Sequence, residues 1–444
     1  MNWLQLLPSF LRRQFSESPN RQEIVANSGW LVSDRLLRLA IGLIVSILIA
    51  RYLGPSRYGL YSYAIAFASL FGILTGLGLE SVVIRELVKR PWDQQPLLGT
   101  AFWLQLLAGI LTWGLVIAVA ALLPHGMEGA SWLVFIIAGS FVFQSFKVVE
   151  FFFQSRVEAR YIVMGKVMPF LLVSALKIAL VLNEAGVAAF AAAFTLEAAL
   201  DAFGLWVIYR LRGHKFTALK FDKDAAKATL AESWPLLLSG LSIMIYMRID
   251  QIMLGHMSGS ADVGLYAAAV RISEVWYFVP VFFAQSAFPA IVRSKEEDPL
   301  LYGKRLQNMF SFTCVISYFM ILPLTLFSKL IIVALFGTAY AASGSIVAVL
   351  VWAGLFVSLG VVQSSWLVNE GLTRLALYRT LFGAIANVIL NLILIPVLGI
   401  MGAAIATVAS YAMAAMFSNL FSEVTRPVFR MQLKGLACVF EKNP

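Results

Sequence analysis

Long apolar stretches separated by short polar connections fill almost the whole chain. Each stretch holds about 20 residues or more, which is enough for an α-helix to cross a hydrocarbon core of about 30 Å. A β-barrel would instead show short strands of alternating polarity. The pattern predicts twelve membrane spans, with the approximate limits 27–51, 59–87, 97–123, 131–154, 161–183, 186–209, 230–256, 264–292, 308–332, 342–367, 373–396 and 400–424.

The predicted spans fall into two sets of six. The longest connection between spans, residues 210–229, is basic and lies between the sixth and the seventh span. We therefore expect an all-α polytopic membrane protein with two six-helix lobes, at residues 27–209 and 230–424. An N-terminal tail, residues 1–26, and a basic C-terminal tail, residues 425–444, complete the predicted organisation.

The two predicted lobes share an internal repeat. A shift of 205 residues aligns Gly54 with Gly259, and the tripeptide at 59–61 with the identical Gly-Leu-Tyr at 264–266. A second shift, of 213 residues, aligns the connection before span 6 with the connection before span 12. Because six is an even number, both lobes enter the membrane from the same side. We therefore predict an internal duplication about an axis along the membrane normal, as in transporters whose substrate site lies between lobes.

Composition agrees with a membrane protein and argues against several kinds of site. The 444 residues are 60% hydrophobic and 13% charged, with a mean hydropathy of +0.83. A soluble domain of this length would leave much of that apolar surface in water. The two cysteines, Cys314 and Cys438, form no Cys-x-x-Cys pair, so neither a disulfide framework nor a metal site is expected. The sequence contains no nucleotide-binding loop and no zinc-protease motif, so we expect a transporter without a cofactor rather than an enzyme.

The positive charges indicate which side of the membrane each connection faces. Lysine and arginine are concentrated in alternate connections, which places both termini and the central connection in the cytoplasm. Arg374 and Arg379 are assigned to this cytoplasmic set, at the start of span 11. The same distribution explains the formal net charge of +10 without a nucleic-acid partner.

Ionisable side chains inside the spans are the candidates for function, because a charge near the bilayer centre costs about 2.5 to 3.5 kcal/mol on insertion scales. Arginine suits phosphate, since its planar guanidinium stays charged and donates two parallel hydrogen bonds. A water-filled cationic cavity between the lobes is therefore expected to receive an anionic head group. Its candidate residues are Arg35, Arg38, Arg248 and Arg271. In the alternative interpretation these arginines form ion pairs that fix helix packing, for example with Asp34, which lies one helical turn before Arg38.

Carboxylates inside the spans are the candidates for ion coupling. Glu197 and Asp201 lie four residues apart on span 6, and stacking them in a low-dielectric span favours protonation of one of them. The alternative is a pair that Lys177 neutralises, or a pair that faces a wet crevice. The complete set of coupling candidates is Asp34, Glu197, Asp201, Asp250 and Glu274.

Uncharged amides in the second half are candidates for sugar contacts, since an amide both donates hydrogen bonds to hydroxyl groups and accepts them. These residues are Gln363, Asn387 and Asn391. The alternative is that they form hydrogen bonds between neighbouring helices.

The connection between spans 1 and 2 carries a family resemblance. Its sequence, ARYLGPSRYGLY at 50–61, resembles the polysaccharide-biosynthesis (Wzx-type) flippases of the multidrug/oligosaccharidyl-lipid/polysaccharide exporter superfamily. The Gly-Leu-Gly at 76–78, VIREL at 83–87 and RIDQIMLG at 248–255, followed by the Gly-Leu-Tyr at 264–266, extend the resemblance. It covers essentially the whole chain.

The resemblance implies a twelve-helix, multi-pass protein of the inner membrane with a cationic lumen. Such proteins move undecaprenyl-diphosphate-linked oligosaccharides from the cytoplasmic to the periplasmic leaflet by alternating access. The implied partners are therefore the lipid-linked oligosaccharide and membrane lipid, with a glycan polymerase and a chain-length regulator as further candidates. Whether the glycan belongs to lipopolysaccharide O-antigen, capsule or exopolysaccharide is left open, and so is the coupling ion.

Two other functions remain as alternatives. A cation-coupled multidrug exporter would use an acidic cavity, for which Asp34, Glu197, Asp201 and Asp250 are available. A non-transporting scaffold or a glycan polymerase is the other alternative. A polymerase would be expected to have a sizeable charged loop outside the cell, and the predicted outside connections are short.

Overall fold

The computed structural model describes residues 19–90, 94–122, 129–216 and 219–441. Within these residues every regular element is helical, so the predicted all-α class is confirmed. The first nine α-helices are α1 Pro19–Gly76, α2 Leu79–Lys89, α3 Gln94–Leu122, α4 Ala130–Ala138, α5 Ser140–Phe143, α6 Val148–Ser155, α7 Ala159–Leu182, α8 Val187–Leu211 and α9 Lys223–Met257. The next nine are α10 Ser260–Glu274, α11 Phe278–Glu297, α12 Pro299–Leu326, α13 Ser328–Phe336, α14 Ser343–Leu350, α15 Ala353–Asn369, α16 Thr373–Leu398, α17 Ile400–Ala415 and α18 Arg426–Leu436.

The predicted membrane spans correspond to these helices. In the described part of the chain, ten helical stretches are long and apolar enough to cross a membrane. The first of them, Gly29–Lys89, contains predicted spans 1 and 2, and the shorter α17, with 16 residues, occupies the position of span 12. When Gly29–Lys89 is divided at Gly54, where its backbone leaves the helical conformation, the predicted twelve membrane helices are all accounted for.

Glycine conformation explains the break at Gly54 and supports the internal repeat. Gly54 has φ 69° and ψ 171°, a conformation that favours glycine, and Pro55 then removes one helical hydrogen-bond donor. Its predicted equivalent, Gly259, adopts nearly the same conformation, φ 95° and ψ 176°, immediately before α10. The second predicted alignment is weaker, because Gly186 has φ −67° whereas Gly399 has φ 57°.

Equivalent residues of the repeat also pack against each other. A Cβ atom added to Gly59 would lie 1.8 Å from the carbonyl oxygen of Ser260, and one added to Gly264 would lie 2.0 Å from that of Pro55. The shift of 205 residues relates Gly59 to Gly264 and Pro55 to Ser260, so the two contacts are equivalent. Any side chain at either glycine would therefore overlap the backbone of the other repeat.

Aspartate caps explain where two long helices begin. Asp222 Oδ1 accepts hydrogen bonds from the backbone N–H groups of Asp224 and Ala225, at 2.8 and 2.9 Å. These bonds satisfy donors that a helix start leaves unpaired, so α9 begins at Lys223, inside the predicted connection 210–229. Asp298 caps α12 in the same way, through the N–H of Leu300.

The helices form two compact units. Unit 1 comprises the described residues of Met1–Ser46, Leu74–Leu115 and Ile136–Trp234, and unit 2 those of Ile47–Ile73, Val116–Phe135 and Pro235–Pro444. These limits do not coincide with the predicted lobes, since two segments of the first half belong to unit 2. The lobe boundaries therefore stay a prediction.

Each unit has its own apolar core. In unit 1, Leu79, Val83 and Phe152 are buried where α2 and α6 pack together, beside Tyr209 of α8. In unit 2, α11, α12, α15 and α18 share a core that includes Phe310, Val362 and Val428.

The region predicted as a basic C-terminal tail is largely ordered. Its helix α18 buries Val428, Gln432 and Gly435, and it packs against Phe310 of α12. The described part of the predicted tail therefore belongs to the core of unit 2, and residues 442–444 lie outside the description.

Candidate functional site

Arg38 is the best-placed arginine of unit 1. Its Nε donates to both carboxylate oxygens of Asp34, at 3.0 and 3.1 Å, as the helical spacing of four residues predicts. The guanidinium carbon also lies 4.7 Å from the centre of the Phe170 ring, a favourable cation–π arrangement. The Nη2 atom of Arg38 is buried and has no hydrogen-bond acceptor among the described residues. The N–H donors of Nη2 therefore remain unused after the ion pair with Asp34 has formed.

A cavity of about 220 Å³ lies next to this region of unit 1. Its charged lining consists of Lys147, Glu150, Lys166, Glu197 and Asp201, and we call it the mixed-charge cavity. Lys166 Nζ contacts Glu150 at 2.9 Å, so one carboxylate of the lining is neutralised by an ion pair.

The two stacked carboxylates of this cavity have different partners. Lys177 Nζ lies 2.6 Å from Glu197 Oε2, which is the neutralised alternative considered from the sequence. Asp201 Oδ1 is buried and accepts no hydrogen bond from the described residues. Glu197 thus has a direct cationic partner, whereas Oδ1 of Asp201 has no hydrogen-bond donor among the described residues.

In unit 2, Arg248 and Asp250 have separate surroundings. Arg248 Nη2 of α9 lies 3.4 Å from Glu274 Oε2 of α10, so these two residues form a half-buried ion pair. Asp250 is only 2% exposed and accepts hydrogen bonds from the hydroxyls of Tyr266 and Thr407. The backbone N–H of Gln251 is a third donor, at 2.8 Å. Asp250 is thus held by neutral donors, whereas Glu274 is held by a cation.

The candidate amides Asn387 and Asn391 are fully buried on α16. Asn391 Nδ2 donates to Asn387 Oδ1 at 3.0 Å, and Asn387 Nδ2 donates to Ser410 Oγ at 3.0 Å. Ser410 in turn donates to the carbonyl of Thr407, which connects the amides to Asp250. The hydrogen bonds are those of the inter-helix alternative, and a contact with sugar stays a prediction.

The remaining two arginine candidates, Arg35 and Arg271, are exposed. Gln363, the third candidate amide, is 1% exposed and forms hydrogen bonds with Arg379 and Asn419.

Three ion pairs join candidate residues in the structure. They are Asp34 with Arg38, Lys177 with Glu197, and Arg248 with Glu274.

Arg379, which was counted with the cytoplasmic charges at the start of predicted span 11, lies in α16, within the apolar stretch Arg374–Leu398. Its guanidinium packs against α15. The signal for this position was present in the sequence, because Arg379, Gly383, Asn387 and Asn391 follow one another at intervals of four and so share one helix face. Gly383 and both asparagines are buried, which identifies this face as the one that packs against protein.

Comparison with known proteins finds two family matches along this chain. Residues 24–295 match the family described as "Polysaccharide biosynthesis protein", and residues 235–393 match the family described as "MatE". The "Probable flippase AglR" of Haloferax volcanii is 26% identical over 400 residues, which is 85% of this chain and 79% of that protein. The "Probable low-salt glycan biosynthesis flippase Agl15" of the same organism is 26% identical over 180 residues, 39% of this chain and 37% of that protein. The predicted resemblance is confirmed.

Solved structures share the fold. The "Lipid II flippase MurJ, inward closed conformation" superposes with a TM-score of 0.72 at 17% identity, covering 93% of this chain and 91% of that chain. An inward-facing multidrug resistance MATE family transporter of the MOP superfamily gives a TM-score of 0.70 at 18% identity, covering 90% and 95%. The chain is therefore a multi-pass helical membrane protein with the two-lobe fold of these transporters.

Proposed function

This chain belongs to the polysaccharide biosynthesis protein family, and on that basis we propose that it is a flippase that moves lipid-linked oligosaccharides from the cytoplasmic to the outer leaflet of the cell membrane. The observation that carries the proposal is the surroundings of Arg38. This arginine lies on a membrane-spanning helix, and its buried Nη2 donor has no acceptor among the described residues. A guanidinium in that state is suited to a phosphate oxygen.

In this proposal the diphosphate of the substrate competes with carboxylates for arginine. Arg38 is held by Asp34 and Arg248 by Glu274, and these contacts keep each cation from lying unpaired in a low-dielectric span. A dianionic head group replaces the carboxylate, or adds to it through the unsatisfied Nη2. Arg35 and Arg271 are exposed and complete the proposed cationic set.

The lipid part of the substrate determines how the head group travels. An undecaprenyl chain stays in the hydrocarbon while the diphosphate and sugars pass through the protein by alternating access. Cytoplasmic termini and an inner-membrane location are part of the same proposal, supported by the distribution of lysine and arginine. A glycan polymerase and a chain-length regulator are the proposed partners that follow export.

Ion coupling is proposed at Asp201 and Asp250 rather than at the other acidic candidates. Asp34, Glu197 and Glu274 each contact a cationic side chain within 4 Å. Asp250 is instead held by hydroxyl and N–H donors, and Asp201 Oδ1 accepts no hydrogen bond from the described residues. A carboxylate without a fixed cation is the one whose charge a transported proton or metal cation balances.

A second candidate function is a cation-coupled multidrug exporter. The match of residues 235–393 to the MatE family supports it, and the buried carboxylate of Asp250 lies within the matched region. In that case Asp250 and Asp201 would bind a cationic drug, and the arginines would serve helix packing.

The proposed function is tested by flipping in proteoliposomes. Purified protein is reconstituted with a fluorescent polyprenyl-diphosphate oligosaccharide, and its accessibility to a membrane-impermeant quencher is followed. Because a hydrogen bond to a charged group contributes about 1.5 to 3 kcal/mol, we expect Arg38→Ala to slow flipping by about tenfold or more. Arg210→Ala is the matched control, since Arg210 is exposed in the last turn of α8. Wild-type flipping by folded Arg38→Ala protein would overturn the assignment.

A further inference from the structure

Among the described residues, Arg379 of α16 donates to neutral acceptors alone. Its guanidinium contacts the carbonyl oxygen of Gly360 at 3.2 Å, Oε1 of Gln363 at 2.9 Å and Oγ of Ser364 at 2.6 Å. No ion pair of Arg379 occurs within the described ranges, in contrast to Arg248 of the same unit. Its Nε is buried and has no acceptor there.

The hydrogen bonds of Arg379 continue into a chain of buried amides. Gln363 donates to Asn419, Asn419 donates to Gln432 at 2.9 Å, and Gln432 donates to the carbonyl of Ala415 at 2.7 Å. All three amides are at most 1% exposed. The chain connects α15, α16 and α18 and contains one formal charge, that of Arg379. Arg379 is half-buried, and a partly desolvated guanidinium without a counter-ion among the described residues is unfavourable, so helix packing alone gives little reason for a cation here.

A cavity of about 360 Å³ lies beside the guanidinium, and we call it the Arg379 cavity. This volume is within the range of about 300 to 1,000 Å³ that is usual for small-molecule sites. Its polar lining besides Arg379 consists of Tyr246, Ser364, Ser365, Thr380 and Tyr411, and Phe356 supplies an aromatic wall. The rings of Tyr246 and Tyr411 meet edge to face, with their centres 5.0 Å apart.

Small residues keep the cavity open. A Cβ atom on Gly360 would lie 3.3 Å from the Cβ of Ala415 and 3.8 Å from Nη1 of Arg379. Ala414 and Ala415 line the cavity on the side of α17. Space, hydroxyl groups and an uncompensated guanidinium therefore occur together in one place.

We propose that the Arg379 cavity is an anion subsite, in which Arg379 binds a phosphate or carboxylate group and the surrounding hydroxyls contact sugar. The inference rests on the proposed function, because a lipid-linked glycan offers both chemistries, in its diphosphate linkage and in acidic sugars. A guanidinium binds either oxyanion through charge-assisted hydrogen bonds. Serine, threonine and tyrosine hydroxyls both donate to sugar hydroxyls and accept from them.

The test measures anion binding by the full-length protein in detergent, independently of flipping. Inorganic pyrophosphate and D-glucuronate represent the two anion sources, and D-glucose at equal ionic strength is the neutral control. Binding is read from the rise in unfolding temperature with ligand concentration. The variants are Arg379→Gln, which keeps donors for the α15 acceptors but loses the charge, and Arg374→Gln, an exposed control at the start of the same helix.

We expect pyrophosphate, glucuronate or both to stabilise the wild type and Arg374→Gln, and Arg379→Gln to lose at least about tenfold of the apparent affinity. Stabilisation by pyrophosphate alone identifies the diphosphate linkage as the occupant, and stabilisation by glucuronate alone identifies an acidic sugar. A parallel series in an Arg38→Gln background removes the other arginine with an unsatisfied donor. If Arg379→Gln does not fold, Arg379→Lys keeps the charge without the planar fork and should bind with intermediate affinity.

Three results would overturn the inference. They are equal anion binding by Arg379→Gln and wild type, no stabilisation of the wild type by either anion, and a loss of ligand-free stability in Arg379→Gln with anion affinity intact. A chain that flips lipid-linked glycan yet gives one of these results would refute this subsite and leave the proposed function standing.

Discussion

The mixed-charge cavity of unit 1 and the Arg379 cavity of unit 2 hold charge in opposite ways. In the first, Lys166 contacts Glu150 and Lys177 contacts Glu197, so most charges stabilise one another inside the protein. In the second, Arg379 donates to neutral oxygens alone within the described residues. A charge with an internal partner contributes to the fold, whereas a charge without one can bind a ligand without first breaking an ion pair. Similar residue types thus have different roles according to their neighbours.

The comparison predicts effects of opposite sign when a cation is removed. Deleting one member of a buried pair leaves the other charge uncompensated, which is strongly destabilising. Replacing a half-buried cation that has no counter-ion leaves no opposite charge unpaired, so stability should be unchanged or slightly raised, provided that its hydrogen-bond acceptors keep a donor.

Removing Lys166 should have the largest effect on stability. In Lys166→Met, Glu150 remains half-buried without its partner, and we expect a loss of about 2 to 3 kcal/mol. Unfolding of the purified protein in detergent measures this loss. The double variant Lys166→Met with Glu150→Gln should recover most of it. If Lys166→Met is as stable as the wild type, the Lys166–Glu150 pair contributes little to stability, and the charges of the mixed-charge cavity do not stabilise unit 1 as stated above.

Replacing Asp201 should affect coupling more than stability. Asp201 Oδ1 accepts no hydrogen bond from the described residues, so Asp201→Asn removes a charge without breaking a contact made through that atom. We expect a proton gradient to accelerate flipping by the wild type but not by Asp201→Asn. Under the gradient the variant should flip about tenfold more slowly than the wild type, which corresponds to about 1.4 kcal/mol in activation free energy. Glu197→Gln is the matched comparison, and it should lower stability instead, because it leaves Lys177 unpaired. Gradient-dependent flipping by Asp201→Asn would exclude Asp201 as the coupling residue.

Removing Arg379 should change stability in the opposite direction to removing Lys166. In Arg379→Gln the side-chain amide can still donate to the α15 acceptors while the charge is lost, and we expect stability to be unchanged or raised by up to about 1 kcal/mol. Thermal unfolding without added anions measures the effect, alongside Arg374→Gln as an exposed control on the same helix. A loss comparable to that of Lys166→Met would assign Arg379 to the fold.

The ion pair between Lys295 and Glu370 lies outside the membrane spans, and we expect it to have the smallest effect on stability. Burial raises the pKa of Glu370, but hydrogen bonds from Lys295 and Tyr302 outweigh it, so the pKa lies below its ordinary value of 4.5. Such a carboxylate stabilises the fold above pH 4.5, and the contribution is lost as the pH falls through the lowered pKa. Glu370→Gln should therefore be less stable than wild type at pH 7, by at most about 1 kcal/mol. The difference in stability should shrink as the pH falls below 4.5, and a difference that stays constant as the pH falls would contradict this cause.

Much of the fold follows from sequence because membrane helices are specified locally. Span length and the glycine breaks depend on residues close together in the chain, and the internal repeat is visible by comparing the two halves of the sequence; the structure agrees with both at Gly54 and Gly259. The Asp34–Arg38 pair was equally accessible, since it requires only one helical turn. The start of α9 was missed because the cap at Asp222 lies inside a region that reads as a basic connection.

Partner choice across helices was less predictable, because it depends on helix rotation. The sequence alone did not indicate that Arg248 pairs with Glu274 of the neighbouring helix, and the structure shows this pair. Arg379 was counted with the cytoplasmic lysines and arginines at the start of predicted span 11. Its true environment depends on Gly360 and Ser364 of α15, which no local pattern reveals.

The central claim is that the chain flips a lipid-linked glycan, and one assay addresses it directly. Wild-type protein in proteoliposomes is given the fluorescent polyprenyl-diphosphate oligosaccharide and, in a second set, a cationic dye under a proton gradient. The account predicts protein-dependent movement of the oligosaccharide between leaflets and no gradient-driven movement of the dye. Dye transport without movement of several different lipid-linked glycans would contradict the account and favour a multidrug exporter.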